Sequence, residues 1–233
     1  MKSRSQLHRL PHHTLRFLQQ YLSGFSTGRF HQDRWKNLQH LNRYLAARIQ
    51  PETEEGQPWL NYELISFMDR QPRGLVVEFG SGRSTVWLAR QGFQVFSTEH
   101  HAGWAAQVSA WLSQMGLSHL VQLHLAEMDP VKKTCAQEYL RPFLQRGNSR
   151  PVSFILVDGI FRNECLVACA DLLDAGIPII LHDADRRDYL PGIHALVQRP
   201  GIGVRTLFGP GAGTPDFTWA KIFQRVHAKG SPR

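Results

Sequence analysis

The sequence predicts an α/β fold: a doubly wound, Rossmann-like, mostly parallel sheet of seven strands with helices around it. From residue 75 onward, short apolar segments alternate with helical segments, which is the order typical of parallel sheets with crossover helices. The segment VSFILV at 152–157 is apolar on both sides, as a central parallel strand should be. The last two strands are joined by GPGAGTPD, which is too short for a crossover helix and predicts an antiparallel hairpin.

Helical segments are predicted before the alternating region. In the first one, Leu15, Leu18 and Leu22 recur at helical spacing and form an apolar stripe that could lie on the domain, on a partner or on a membrane surface. A second helix is predicted at residues 34–49 and a short one over WLNYELISFMDR, with the loop QPETEEGQP between them. We assign residues 1–58 to a basic helical extension and residues 59–233 to the main domain.

The remaining elements follow in chain order. Strands are predicted at residues 74–79, 94–98, 120–125, 152–157 and 177–182. Helices are predicted at residues 85–91, 104–115, 131–146, 163–173 and 190–198, with Ser84 as the cap of the first. The hairpin strands are predicted at residues 204–208 and 218–224.

The net charge of +8 is concentrated at the two ends of the chain. Residues 1–73 carry 11 basic and 6 acidic side chains, residues 199–233 carry 6 and 1, and the segment between them carries 10 and 12. The basic ends could recruit an anionic substrate, an anionic partner or a membrane surface, the last through the N-terminal arm. They do not by themselves indicate a nucleic-acid-binding protein, because the sequence contains no recognised nucleic-acid-binding module.

The cysteines indicate a reducing compartment. Cys135, Cys165 and Cys169 are odd in number, form no CxxC pair and follow no secretory signal, so we predict a cytoplasmic protein. Cys165 and Cys169 share a helix face and are interpreted as small buried residues rather than metal ligands. No apolar run approaches the ~20 residues that a membrane-spanning helix needs.

The segment EFGSGRST, from Glu78 to Thr85, carries the strongest functional signal. Its glycines would let the backbone approach a ligand, and the amides at the start of the next helix favour negative charge. Glu99 ends the second strand 21 positions after Glu78, where an acid can accept hydrogen bonds from ribose hydroxyls. The pattern predicts a nucleotide site, and a tight turn without a ligand is the alternative.

The choice of nucleotide depends on Glu78 and Thr85. A dinucleotide-binding turn would have its third glycine at the position of Thr85, and a pyrophosphate would be repelled by Glu78. S-adenosylmethionine instead carries an ammonium group, a sulfonium and a ribose, so a site lined by acids suits it.

These segments resemble the class I S-adenosylmethionine-dependent methyltransferases. VVEFGSG is similar to the first motif of that family, with Ser84 in the place of a third glycine, and FSTEH is similar to its second-strand segment. VDGIFRNECL is similar to the fourth-strand motif, and the final hairpin matches the seven-stranded sheet of the family. The resemblance covers roughly residues 59–225 and implies S-adenosylmethionine as the cofactor.

The resemblance also implies roles for individual residues. Asp158 would lie beside the reactive methyl group. The cofactor-binding residues that it implies are Glu78, Gly80, Ser81, Gly82 and Ser84 around the methionine half, Glu99 at the ribose, and His100 and Glu127 at the adenine.

A second cluster, Asp158 with the segment HDAD, follows the fourth and fifth strands. Both strand ends face the same crevice of a doubly wound sheet. Three interpretations remain open. Asp158, Asp183 and Asp185 could bind Mg²⁺, as in metal-dependent O-methyltransferases, although the Asp-Asn pair of that group is Asp183-Ala184 here. His182 could act as a general base, or the loop could be solvated with its acids capping the next helix.

We predict an enzyme, a methyltransferase acting on a small molecule, most simply on an oxygen, with Asp158, His182 and Asp183 as catalytic residues. Arg162, Arg186 and Arg187 could form a basic rim that recruits an anionic acceptor. The alternatives are a nucleic-acid methyltransferase recruited by the basic ends, a non-catalytic S-adenosylmethionine-binding domain and a dinucleotide oxidoreductase. The sequence does not indicate an oligomeric state.

Overall fold

The computed structural model describes residues 10–26, 34–49, 56–126 and 151–226. Within these residues the α-helices are α1 Leu10–Ser26, α2 Arg34–Gln39, α3 Leu41–Ile49, α4 Tyr62–Asp69, α5 Arg83–Arg90, α6 Ala102–Gln114, α7 Arg162–Ala168, α8 Ala170–Asp174 and α9 Leu190–Val197. The strands are β1 Leu75–Phe79, β2 Gln94–Glu99, β3 Val121–Leu125, β4 Val152–Val157, β5 Ile179–His182, β6 Ile202–Pro210 and β7 Phe217–Arg225. Two short 3₁₀ helices lie at Ser118–Leu120 and Arg187–Tyr189.

The strands form one seven-stranded sheet in the order β3-β2-β1-β4-β5-β7-β6. β1 is the third strand in this order and pairs in parallel with both β2 and β4, so that Val77 stands opposite Phe96 and Ile155. β2 pairs with β3, and β4 pairs with β5, again in parallel. The predicted doubly wound sheet is confirmed. Its order changes direction between β1 and β4, which makes these two strands the topological switch point.

The final two strands form the predicted antiparallel hairpin. The Gly211 N–H donates to the Asp216 carbonyl at 3.3 Å, and the Val226 N–H donates to the Gly201 carbonyl at 2.8 Å. Between these two bonds the residue number falls from 211 to 201 on one strand and rises from 216 to 226 on the other, which is the pattern of antiparallel pairing. Both strands extend beyond the predicted bounds.

The side chains of the parallel strands alternate between the two faces of the sheet. On one face, Val77 and Phe79 of β1 join a cluster with Leu166 of α7 and Leu196 of α9. A second cluster is formed by α5 and α6, which pack Val86, Ala89, Val108 and Leu112 together. Because Glu78 stands between Val77 and Phe79, its side chain points to the face opposite the first cluster.

Some predicted bounds differ from the observed ones for local reasons. The strand predicted from residue 177 begins at Ile179. Pro178 lacks the N–H that a ladder position requires, although its carbonyl accepts a bond from Ile155 at 2.9 Å. The helix predicted at residues 163–173 is divided into α7 and α8 at Cys169, and the one predicted at 34–49 is divided at His40. The helix predicted at residues 131–146 and Cys135 lie outside the described residues.

Two compact units can be distinguished in the described chain. One contains α1 to α4 with residues 206–220, and the other contains the elements between Gln71 and Arg205 with the end of β7. The assignment of residues 1–58 to an extension and 59–233 to a domain stays a prediction. None of the described helices has the length and apolar character needed to cross a bilayer.

Candidate active site

The turn between β1 and α5 is held against the loop that follows β4. Gly80 has a φ of +94°, a conformation that favours glycine. A Cβ at Gly80 would lie 2.6 Å from the Gly159 Cα, and a Cβ at Gly159 would lie 3.1 Å from the Gly80 Cα. The backbones of these two loops therefore touch at the switch point of the sheet. The backbone of the second loop fills the space beside Gly80 that the sequence predicts for a ligand.

Glu78 is fully buried beneath this turn and accepts three hydroxyl hydrogen bonds. Ser84 donates to Oε1 at 2.5 Å, while Thr85 and Ser97 donate to Oε2 at 2.5 and 2.7 Å. Burial raises the pKa of Glu78 to about 7, the nearby charge of Asp158 adds to the rise, and the three hydroxyls oppose it. The carboxyl group thus joins β1, β2 and the first turn of α5.

The first turn of α5 differs from its predicted arrangement. The N-cap residue is Gly82, whose N–H donates to the Thr85 hydroxyl at 2.8 Å. Ser84 is the second residue of the helix and donates to Glu78, so the prediction that it caps the helix was wrong. Sequence reasoning also missed Thr85 and Ser97 as partners of Glu78. Ser97 could have been found from the register, because it stands directly opposite Glu78 in the pairing of β1 with β2.

Glu99 ends β2 beside the same turn and is only 5% exposed. Its Oε2 accepts from the backbone N–H of Ser81 at 3.1 Å and from the Ser81 hydroxyl at 3.2 Å. Its Oε1 accepts from the backbone N–H groups of His100 and His101, both at 2.9 Å. These four donors hold the carboxylate between the glycine-rich turn and the start of α6, where it can meet a polar ligand that lies on the turn.

Trp104 is a site residue that the sequence did not reveal. Its indole Nε1 donates to the Ser81 carbonyl at 2.7 Å, and its backbone N–H donates to the Nδ1 of His101, which caps α6. A Cβ at Gly82 would lie 3.8 Å from the Trp104 ring, which is an ordinary contact. Gly82, unlike Gly80, therefore has room for a methyl group in this structure. The cap could have been predicted from the position of His101 directly before the helical pattern of α6.

The second predicted cluster assembles at the ends of β4 and β5. The His182 Nδ1 lies 2.9 Å from Asp158 Oδ1 and 3.6 Å from Asp183 Oδ1. His182 is 7% exposed at its side chain, and each aspartate is 25% exposed. Adjacent parallel strands end at the same edge, and this places the three side chains together as expected. Asp185 is exposed and does not belong to the group.

Arg162 lies under the cluster and joins the two strand ends. Its Nε donates to the Gly159 carbonyl at 2.8 Å and its Nη1 to the His182 carbonyl at 2.5 Å. Its Nη2 donates to the Asp158 carbonyl at 3.0 Å and lies 3.1 Å from Asp158 Oδ1. The Arg162 side chain is 7% exposed, so the prediction that Arg162 belongs to a basic rim was wrong. Arg186 and Arg187 are exposed.

The charges of this cluster decide its protonation. Burial opposes ionisation of Asp158, but the nearby His182 and Arg162 outweigh it and lower the pKa of this carboxyl group. Burial likewise disfavours the His182 cation, yet Asp158 and Asp183 outweigh that effect and raise the pKa of the imidazole. An ionised Asp158 only accepts, so Nδ1 of His182 is the donor. Among the described residues, its Nε2 is buried and has no hydrogen-bond partner.

The residues of the cluster do not fit a divalent cation. The ligand atoms of Asp158, His182 and Asp183 lie within 4.8 Å of one another. However, His182 Nδ1 carries a proton toward Asp158, and Asp183 Oδ2 lies 2.7 Å from Arg186 Nη2 and 3.7 Å from Arg162 Nη2. Two guanidinium groups thus balance the two carboxylates that a cation would need. Helix capping does not explain these acids either, because neither α9 nor the 3₁₀ turn before it has a side-chain cap.

Comparison with solved structures identifies the fold. The cofactor-bound protein Rv0187 from MTB is 18% identical, with a TM-score of 0.54, over 80% of this chain and 97% of the other. The O-methyltransferase from Bacillus cereus in complex with SAH is 18% identical, with a TM-score of 0.51, over 76% and 81%. TrmN from Thermus thermophilus is 15% identical, with a TM-score of 0.50, over 78% and 53%. The chain has the class I methyltransferase fold. No family model and no curated protein matches the sequence.

In this methyltransferase fold the predicted residues gather at the carboxyl edge of the sheet. Gly80, Ser81 and Gly82 follow β1, Glu99 and His100 follow or end β2, and the acidic cluster follows β4 and β5. His100 is 37% exposed at its side chain, and its Nδ1 lies 2.9 Å from Glu99 Oε1. Glu127 lies outside the described residues. The assignment of a binding role to each of these residues stays a prediction.

Proposed function

We propose that the chain binds S-adenosylmethionine at the switch point between β1 and β4 and transfers its methyl group to an oxygen of a small molecule. The observation that carries the proposal is the junction of Glu99 with the glycine-rich turn. A buried, pre-positioned carboxylate there stands beside the backbone of Gly82, where a Cβ would meet nothing closer than the Trp104 ring at 3.8 Å, while Asp158 follows the neighbouring strand. The methyltransferase fold supports it, and two structural neighbours are described as cofactor-bound or in complex with SAH.

The predicted cofactor-binding residues would each contact a different part of S-adenosylmethionine. Glu99 would accept hydrogen bonds from the ribose hydroxyls, and Ser81 and Gly82 would offer backbone groups to the methionine half. His100, beside Glu99, would meet the edge of the adenine. Glu78 would act from beneath, because its oxygens are occupied by three hydroxyls that fix the turn. When bound, S-adenosylmethionine supplies a methyl group on a positively charged sulfur.

His182 is the residue of the cluster that we assign to proton acceptance. Asp158 accepts from its Nδ1 at 2.9 Å, which leaves Nε2 as the nitrogen with a lone pair in the neutral ring. A buried polar atom without a hydrogen-bond partner is unusual, and a polar group of a bound ligand would supply that partner for His182 Nε2. Nε2 would take the proton of an acceptor hydroxyl as its oxygen forms the new bond to carbon. Asp183 would stabilise the resulting imidazolium.

The acceptor site would be cationic at its outer edge. Arg186 and Arg187 are exposed beside the cluster, and both would attract an anionic acceptor. We also place the activity in the cytoplasm, an inference supported by the free and buried thiols of Cys165 and Cys169.

The test combines cofactor binding with methyl transfer. Calorimetry should detect S-adenosylmethionine binding to the wild-type chain, and a Glu99→Gln variant should bind at least tenfold more weakly because it loses the charge that holds ribose hydroxyls. An Asp171→Asn variant is the matched control, since Asp171 is exposed and lies on α8. Absence of binding by the wild type would overturn the proposal.

Incubation with methyl-labelled S-adenosylmethionine and fractionated cell extract identifies the acceptor class. Label in the small-molecule fraction supports the proposal. Label in RNA or DNA would instead show a nucleic-acid methyltransferase. Cofactor binding without transfer to any fraction would show a non-catalytic binding domain.

A further inference from the structure

The N-terminal helix α1 presents two apolar faces, and only one of them is used by the fold. Phe17 is fully buried and Tyr21 is 6% exposed. On the opposite face, Leu15, Leu18 and Leu22 are 56%, 37% and 59% exposed. At 3.6 residues per turn these three leucines lie in one narrow line along the helix. The stripe noticed in the sequence is therefore the outward face, and the residues that pack inward were not part of it.

The inward face fixes the direction in which the stripe points. The Phe17 ring lies 5.2 Å from the ring of Tyr44 and 5.1 Å from that of Phe217. Arg16 pairs with Asp216 at 2.7 Å, and the Gln20 Oε1 accepts from the Phe217 N–H at 2.6 Å. Because one side of α1 is fastened by aromatic, ionic and hydrogen-bonded contacts, the leucine stripe is held outward as part of the folded structure.

The charge of the surrounding sequence indicates what covers the stripe. Residues 1–32 contain no acidic side chain, and besides Arg16 they carry the four basic residues Lys2, Arg4, Arg9 and Arg29. Three half-exposed leucines fall far short of the ~800 Å² per partner that a standard protein interface buries. A short apolar stripe with basic flanks is instead enough for reversible binding to an anionic lipid surface, where apolar burial and charge add.

We propose that α1 and its basic flank dock the protein on an anionic membrane surface, with Leu15, Leu18 and Leu22 entering the boundary between headgroups and acyl chains. The helix would lie in the plane of the surface, because its inward face remains fastened to the domain. The proposal is independent of methyl transfer, since none of these residues belongs to the candidate active site.

Co-sedimentation of the full chain with lipid vesicles tests this inference. We expect binding to vesicles of phosphatidylglycerol and phosphatidylcholine, weak or no binding to vesicles of phosphatidylcholine alone, and release by added salt. Replacing Leu15, Leu18 and Leu22 together with Gln should lower the affinity at least tenfold. An Arg4→Gln/Arg9→Gln variant should lower it about tenfold or more, because each basic residue near the surface contributes about fivefold.

The matched control is a Val167→Gln/Val197→Gln variant, which changes two apolar side chains that are 49% and 45% exposed on α7 and α9. It should bind the vesicles as the wild type does, and circular dichroism should show that all variants are folded. Equal binding to both kinds of vesicle, no binding, or full binding by the triple leucine variant would overturn the inference. Loss of a dimer in the triple variant, seen by size-exclusion chromatography without vesicle binding, would also overturn it by showing an interface between copies.

Discussion

Replacement of Arg162 by Lys removes a planar donor group while keeping a positive charge. In the structure the guanidinium group donates to the carbonyls of Gly159, His182 and Asp158 and also contacts the Asp158 carboxylate. A lysine ammonium is a single nitrogen and cannot reach carbonyls that lie on both strand ends. We therefore expect at least two of these three carbonyls to lose their donor.

The expected loss of stability follows from these contacts. A hydrogen bond to a charged group contributes about 1.5–3 kcal/mol, so two lost bonds correspond to about 3–6 kcal/mol in the free energy of unfolding. For a chain of this size, 1 kcal/mol corresponds to about 2–4 °C in Tm, and we expect Tm to fall by about 10 °C. Arg162 is 7% exposed, so solvent screening does little to reduce the effect.

The assay is urea unfolding followed by circular dichroism, with Arg186→Lys as the control. Arg186 is 58% exposed and contacts Asp183, so its replacement should change the free energy of unfolding by less than about 1 kcal/mol. If Arg162→Lys unfolds within about 0.5 kcal/mol of the wild type, Arg162 does not join the two strand ends and the reasoning is refuted.

Three further predictions concern the site. Gly80→Ala should destabilise the fold strongly, because its Cβ would meet the Gly159 backbone at 2.6 Å, and thermal melts check this. Gly82→Ala should fold normally but bind S-adenosylmethionine at least tenfold more weakly, which calorimetry checks. Glu78 has a pKa of about 7 in the folded chain against 4.5 as its ordinary value, so the folded state binds the proton more tightly and stability falls as pH rises from 4.5 to 7. Urea titrations should show a fall of about 3 kcal/mol in the wild type and its absence in Glu78→Gln. His182→Gln should lower kcat by about 10²–10⁴ and EDTA should not change the rate, as initial rates of methyl transfer will show.

The outcomes that would contradict these predictions are distinct. If Gly82→Ala bound S-adenosylmethionine with wild-type affinity, the cofactor would not lie on this turn. Parallel stability curves for the wild type and Glu78→Gln would show that Glu78 does not titrate in this range.

The pH dependence of activity tests His182 as well. Because Asp158 and Asp183 raise the pKa of His182, activity should rise with pH at a point above the ordinary histidine value, and the rise should disappear in His182→Gln. If EDTA abolished methyl transfer and Mg²⁺ restored it, the cluster of Asp158, His182 and Asp183 would be a metal site.

The sequence predicted the central strands well because burial on both faces leaves a simple apolar pattern. β4 begins and ends at the predicted residues, and β2 ends one residue beyond its prediction, at Glu99. The turn after β1 was recognisable because the conformation of Gly80, with a φ of +94°, favours glycine. These features depend on local chemistry, which a single sequence records.

The parts that the sequence missed depend on contacts between distant segments. The sequence predicts Arg162 on the surface because an arginine in a polar loop is usually solvated. Phe161 takes a left-handed conformation, with φ of 51°, immediately before α7, and the Arg162 side chain donates to the carbonyl of His182, at a strand end 20 residues away. The hydroxyl partners of Glu78 come from two different elements for the same reason. No local pattern announces such pairings.

The contact between Gly80 and Gly159 links two loops that would otherwise move separately. One loop carries the turn on which the cofactor would lie, and the other continues from Asp158 into the cluster with His182. Since their backbones already touch, neither loop has free space to move toward the other, and a ligand that pushed the first loop in that direction would also press on the backbone beside Asp158. We therefore expect a ligand on the glycine-rich turn to affect the position of Asp158 and, through the 2.9 Å contact between Asp158 and His182, the position of the imidazole.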